Sequence, residues 1–245
     1  MNSLVLCVIF LLISCNGLQL PSSFKKCDRR RSDFNRCLSK AVYTAVKVLD
    51  KPLELYGLPS LYDVAFPSDV VVELGNSTYG LRQKYTQYRV IGLTKPQSII
   101  ARLDPGPLTN TLTIEAIYPK LIWDVELEAK GTVVLLPLNV ITPLEFTFES
   151  PTLTFTFELE EYLNEVTHFK VIDSALDIQV HGLKFDFKHL FSNKRLNKEF
   201  NSEFSAKGMQ AFVLFKHVGA IFGPYFHSVF NNFLDKVPVG ELFDG

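Results

Sequence analysis

Residues 144–159 read LEFTFESPTLTFTFEL. In the first half Leu144, Phe146 and Phe148 alternate with Glu145, Thr147 and Glu149. In the second, Leu153, Phe155, Phe157 and Leu159 alternate with Thr152, Thr154, Thr156 and Glu158. A period of two puts every apolar side chain on one face, so each half reads as a strand with one buried and one wet face, as in antiparallel sheets. Working outward, the same period holds in Leu112, Ile114 and Ala116 on one side. It returns in Leu176, Ile178 and Val180, then in Leu183, Phe185 and Phe187, on the other. Short Gly, Pro and Asn turns part these runs, for example Asp104-Pro105-Gly106-Pro107. About eight strands are predicted between residues 69 and 190.

Helical periods flank the strands. Phe34, Cys37, Leu38, Ala41, Val42, Ala45, Val48 and Leu49 recur at three- and four-residue spacing. They predict an amphipathic helix that Ser32 or Asp33 caps and Pro52 ends. From Asn201 to Lys236 a second helix is expected, on the order of 50 Å long. Met209, Phe212, Phe215, Val218, Phe222, Phe226, Val229, Phe230 and Phe233 form its stripe, and further apolar residues lie off it. A helix apolar nearly all round must be covered. The sheet is therefore expected to curve around it, an elongated α+β architecture with an apolar tunnel between the aromatic linings. Gly223-Pro224 is expected to kink or break that helix.

Composition sets outer bounds. The chain has 245 residues, 25 Lys and Arg against 26 Asp and Glu, and 21 Phe against one Trp. Near-zero net charge argues against nucleic acid as the main partner. Leu4 to Ile13 is an apolar run too short to span a bilayer but suited to a secretory leader, with cleavage expected after Gly17. Leu12-Ile13-Ser14-Cys15 also reads as a lipoprotein box, ranked second. The expected organisation is a signal peptide over 1–17 and one domain over 18–245, in a secreted, extracellular chain. Of four cysteines, Cys27 and Cys37 remain after the leader, and in that compartment they are expected to pair. Asn76-Ser77-Thr78 is the glycosylation sequon, at Asn76. The arm carrying Lys25, Lys26, Arg29, Arg30 and Arg31 reads first as a solvated segment and second as a weak contact for an anionic surface.

Chemistry is sparse. There is no nucleophile elbow, no zincin motif, no dinucleotide fingerprint and no phosphate loop. The five histidines form no metal-spaced pair, so neither metal nor cofactor is expected. Spacing says nothing about a dispersed Ser-His-Asp set.

Several motifs, in order along the chain, resemble the insect takeout and haemolymph juvenile-hormone-binding family. They are Leu20-Pro21 with Cys27 and Cys37-Leu38, Val90-Ile91-Gly92-Leu93, Lys130-Gly131 through Leu135-Leu136-Pro137-Leu138, His189-Leu190-Phe191-Ser192-Asn193, Phe200-Asn201 to Phe204, and Val237-Pro238 with Glu241-Leu242-Phe243. The sequence departs from the family pattern near Asn139 and Ile141, at Asp63-Val64, at Phe200 and Phe204, and at Pro224. The resemblance implies a TULIP-like single module and a non-enzymatic, monomeric carrier of a small hydrophobic ligand, such as a juvenile-hormone-like terpenoid or a long-chain lipid. Alternatives are a signalling or membrane-surface protein without fixed cargo, and a lipid esterase. Candidate tunnel residues are Trp123, Phe146, Phe148, Phe155, Phe157, Phe185, Phe187, Phe215, Phe222 and Phe226. Tyr85, Tyr88, Trp123 and Tyr225 are the candidate polar tips. For any single Phe a filled core is the first reading and a tunnel lining the second.

Overall fold

A computed structural model describes residues 18–66, 69–76, 79–133, 136–206 and 218–244. The leader, the sequon residues Ser77 and Thr78, and Phe215 lie outside the described residues. The chain order is β1 (Cys27–Asp28), α1 (Phe34–Val48), β2 (Asp63–Phe66), β3 (Val70–Asn76), β4 (Tyr79–Ile91), β5 (Ser98–Pro105) and β6 (Asn110–Ile117). It continues with β7 (Lys120–Val133), β8 (Leu136–Glu149), β9 (Thr152–Asn164), β10 (Val166–Gln179), β11 (Gly182–Phe187), α2 (Lys194–Ala206), α3 (Val218–Leu234), α4 (Val239–Leu242) and β12 (Phe243–Asp244).

The α+β class and the antiparallel pairing are those the period-two runs predict. Nine strands, β3 to β11, lie where about eight are expected. They form two open sheets. One has four strands in the order β10-β9-β6-β5; the other runs β11-β8-β7-β4-β2, with β3 also on β4. The stretch 144–159 spans both: Phe146 pairs with Trp123 and Phe185 in the larger sheet, while Phe155 pairs with Ile114 in the smaller. The predicted turn is present, with the Gly106 N–H bonded to the Thr109 carbonyl at 2.8 Å.

Open sheets leave unpaired backbone groups along their edges, which must be covered. Here three helices do it with Asn and Ser side chains that stand in for a neighbouring strand. On edge strand β5, Ser39 of α1 accepts the Ala101 N–H at 2.8 Å, and its hydroxyl donates within the helix to the Asn35 carbonyl at 2.7 Å, with the Ala101 carbonyl 3.2 Å away. On edge strand β10, Asn231 of α3 accepts the Val171 N–H at 2.7 Å and donates back to the Val171 carbonyl at 3.2 Å. On edge strand β11, Asn201 and Ser205 of α2 do the same for Phe187 and Phe185. Asn201 and Ser205 stand four apart, one helical turn, so one face of α2 follows the strand. These bonds fix α1 and α3 on opposite edges of the four-stranded sheet.

Some expectations are corrected. The C-terminal helical region begins at Lys194, where the sequence period turns helical after Asn193, and α3 ends at Leu234, short of the expected Lys236. Helix α3 runs through Gly223-Pro224 without a break. Pro224 is exposed, so the carbonyl it leaves without a donor can be hydrated. Asp33 precedes α1, but its side chain makes no capping bond. Its carboxylate instead accepts from Arg36 and Arg31, each at 3.0 Å, and these partners hold its pKa below the usual carboxylate range.

The basic arm is not a free, solvated segment. Cys27 and Asp28 pair in parallel with Phe243 and Asp244, and a disulfide joins Cys27 to Cys37. The Arg29 guanidinium lies over the rings of Phe243 and Phe169, at 4.5 and 5.3 Å, because burial of its planar cation against aromatic faces is favourable. The arm and the C-terminal tail thus close one end of the molecule together.

Candidate ligand-binding site

Two clusters of apolar side chains fill the interior, and they differ in how well. The first lies on the inner face of the larger sheet. Trp123 is 4.5 Å from Phe148 and 4.9 Å from Phe222, and Phe146 is 5.2 Å from Phe185, ring centre to ring centre. Phe222 also meets Phe66 at 4.2 Å. These edge-to-face contacts leave the rings filling their own space.

A cavity of ≈ 240 Å³ lies mainly in the second cluster, with Leu93, Ile99, Ala116 and Tyr118 of the first also in its wall. Its floor is the inner face of the four-stranded sheet, including Leu112, Ile114, Ala116, Phe155, Phe157 and Phe169. One wall is α1, through Leu38, Ala41, Val42, Ala45, Val46 and Leu49; the other is α3, through Phe226, Val229, Phe230 and Phe233. Since α1 and α3 are pinned to opposite edges of this sheet, the cavity is the space left between them. At one end stand Leu20, Phe24, Lys25 and Cys27 of the arm with Leu242 and Phe243 of the tail. Near the other is Tyr118, just past Ile117, which pairs with Ser98. The strand register from Asn110, opposite Leu159, to Tyr118 covers about 27 Å at roughly 3.4 Å per residue.

The wall is almost wholly hydrocarbon. Among the described residues forming it, only Lys25 and Tyr118 carry a polar side-chain group outside a disulfide. Tyr118 is 3% exposed, and burial raises its phenol pKa well above the ordinary value of 10.0. Lys25 is exposed, as a long side chain is when its stem lies on apolar surface and its ammonium stays in water.

The candidate residues divide between the two clusters. Phe155, Phe157 and Phe226 belong to the cavity wall. Trp123, Phe146, Phe148, Phe185, Phe187 and Phe222 belong to the ring-filled cluster. Of the candidate polar tips, Tyr85, Tyr88 and Trp123 are buried in that same cluster, with Tyr225 packed against it; Tyr118 was not among them. The face of α1 that lines the cavity reads in sequence as ordinary core. Its signal is size: Ala41 and Ala45 leave room where the other cluster has rings.

No catalytic arrangement emerges among the described residues. Ser174 Oγ lies 3.2 Å from His227 Nδ1, with Asn231 Nδ2 3.1 Å from His227 Nε2. The Val171 N–H fixes the Asn231 amide with its oxygen toward the strand, so the Asn231 nitrogen donates to His227 Nε2. His227 Nδ1 then carries the proton and donates to Ser174, the reverse of what activates a serine. His168 Nδ1 donates to the Leu234 carbonyl at 2.9 Å and closes the end of α3. No cluster of metal-binding side chains occurs among the described residues.

Residues 4–244 match the haemolymph juvenile hormone binding protein (JHBP) family, and the chain belongs to it. In fold it is similar to the crystal structure of Takeout 1 from Epiphyas postvittana, with a TM-score of 0.72 and 17% identity over 90% of this chain and 99% of that one. Lipopolysaccharide binding protein overlaps only weakly, with a TM-score of 0.36 and 12% identity over 79% of this chain and 38% of that one. No curated protein matches by sequence.

Proposed function

We propose that this protein is a secreted, non-enzymatic carrier that holds one small hydrophobic ligand, a juvenile-hormone-like terpenoid or a long-chain lipid, in the cavity between α1 and α3. The observation that carries the reading is the hydrocarbon wall, with Lys25 and Tyr118 as its only polar side chains among the described residues. Such a site binds by removing apolar surface from water, about 2.5 kcal/mol for each 100 Å². Family membership supports the same reading. The leader over 1–17, a single domain over 18–245, glycosylation at Asn76 and a monomeric state belong to this proposal. An anionic membrane surface is a weaker partner for the arm, because Lys26, Arg29, Arg30 and Arg31 are each matched to a carboxylate.

Native mass spectrometry of the protein secreted from insect cells tests the carrier reading. A stoichiometric apolar adduct of a few hundred daltons, identified after solvent extraction, is the expected result. A clean protein mass that persists after incubation with terpenoid esters and fatty acids would count against it.

A further inference from the structure

Lys25 stands apart from the other cations of the arm. Lys26 pairs with Asp244 at 2.8 Å, Arg29 with Glu161 at 3.3 Å, Arg30 with Asp28 at 3.2 Å and Arg31 with Asp33 at 3.0 Å. The nearby Glu241 carboxylate accepts the Leu20 N–H. Among the described residues, Lys25 is the arm cation left without a carboxylate, and it is also the cation in the cavity wall. The two facts are independent: one concerns charge balance at the rim, the other the shape of the cavity.

We infer that Lys25 anchors the head group of an anionic amphiphile, and that the natural cargo is a long-chain carboxylate with its tail between α1 and α3. This rests on the carrier reading and sharpens it. The disulfide at Cys27, two residues on, and the pairing of β1 with β12 hold the base of the Lys25 side chain at the rim. A carboxylate there stays at the water boundary and gains a charge-assisted contact with the free ammonium. A neutral ester or alcohol of the same tail length gains the burial but not that contact. Without the ammonium the order would level or reverse, since an ionised head resists an apolar rim.

The test is displacement of the neutral fluorescent probe N-phenyl-1-naphthylamine from the full mature chain at about pH 8, where a fatty-acid carboxylate is ionised. The competitors are palmitate, methyl palmitate and hexadecanol. Palmitate is expected to displace the probe at roughly five- to tenfold lower concentration than the two neutral competitors, and high salt is expected to shrink that advantage. Lys25→Met, which keeps the stem, is expected to erase the preference, with each competitor's displacement read against that variant's own probe affinity. Lys25→Arg and the control Lys26→Met are expected to retain it. Equal displacement by all three competitors, or a palmitate preference that survives Lys25→Met, overturns the anchor and leaves the carrier standing. Failure of the probe and of all three competitors to bind overturns both.

Discussion

Around Trp123 the interior is built of rings, and between α1 and α3 it is built largely of aliphatic side chains and alanines. In the first region Phe146, Phe148 and Phe185 of the larger sheet and Phe222 of α3 are linked through ring contacts that include Trp123. In the second, Ala41, Val42, Ala45 and Val46 of α1 face Ile114 and Ala116 across a gap. Both regions bury apolar surface, and both stabilise the fold by that burial. The difference is volume per backbone position. Large side chains on closely paired strands fill the space the backbone leaves; small ones on a helix held off by edge contacts do not. The sites that bind are therefore to be sought where the side chains are small, not where they are most hydrophobic.

The sharpest way to break this comparison is to empty the filled region. Phe146→Ala removes a ring that is 1% exposed and in contact with the rings of Phe148 and Phe185. A loss of about 3–5 kcal/mol in unfolding free energy is expected, from lost transfer energy plus the cavity left behind. Denaturant unfolding with an unchanged m-value would measure it. A loss below about 1 kcal/mol would mean that the ring cluster is already loose, and the contrast between the regions would fail.

The converse change fills the open region. Ala45→Phe places a ring in the cavity from a helix position that tolerates it. The expected stability change is within about 1 kcal/mol, because the empty space spares the overpacking penalty of a filled core. Binding of an apolar probe is expected to be lost. Probe binding that persists at wild-type affinity would place the ligand elsewhere. The two variants together dissociate the regions: one lowers stability with the cavity intact, the other removes binding with stability intact.

What could be read from the sequence follows from the same physics. The runs at 144–159 and 183–187 declare strands because alternation is a property of the strand itself. The first helix declares itself by its apolar face. The cavity does not, because it depends on how far α1 and α3 stand from the sheet, and that is set by Asn35, Ser39 and Asn231. In sequence these polar residues read as the wet face of their helices. In the structure Asn35 Oδ1 accepts the Leu103 N–H at 3.4 Å, and Ser39 and Asn231 serve the other edge groups. Trp123 and Phe146, prominent in sequence for their aromatic bulk, lie in the ring-filled region. Phe155, Phe157 and Phe226 lie on the boundary: Phe155 is 4.9 Å from Phe226 and belongs to both regions.

The smallest expected effect separates a polar group at the cavity from its neighbours in the filled region. Burial raises the pKa of Tyr118, Tyr85 and Tyr88 above the ordinary 10.0. Below that value all three phenols keep their protons folded or unfolded, and their burial stabilises the fold in full. As pH rises past 10 the unfolded chain releases protons that the folded chain retains, so stability falls. The slope approaches about 1.4 kcal/mol per pH unit for each such group. Tyr118→Phe removes one of the three. At neutral pH it is expected to change stability by less than about 1 kcal/mol, since the phenyl body still packs. Above pH 10 the variant is expected to lose stability less steeply than the wild type, with the gap between them widening as pH rises. Parallel curves across the alkaline range would show that the Tyr118 hydroxyl is hydrated in the folded chain, and that the cavity is wet at that end.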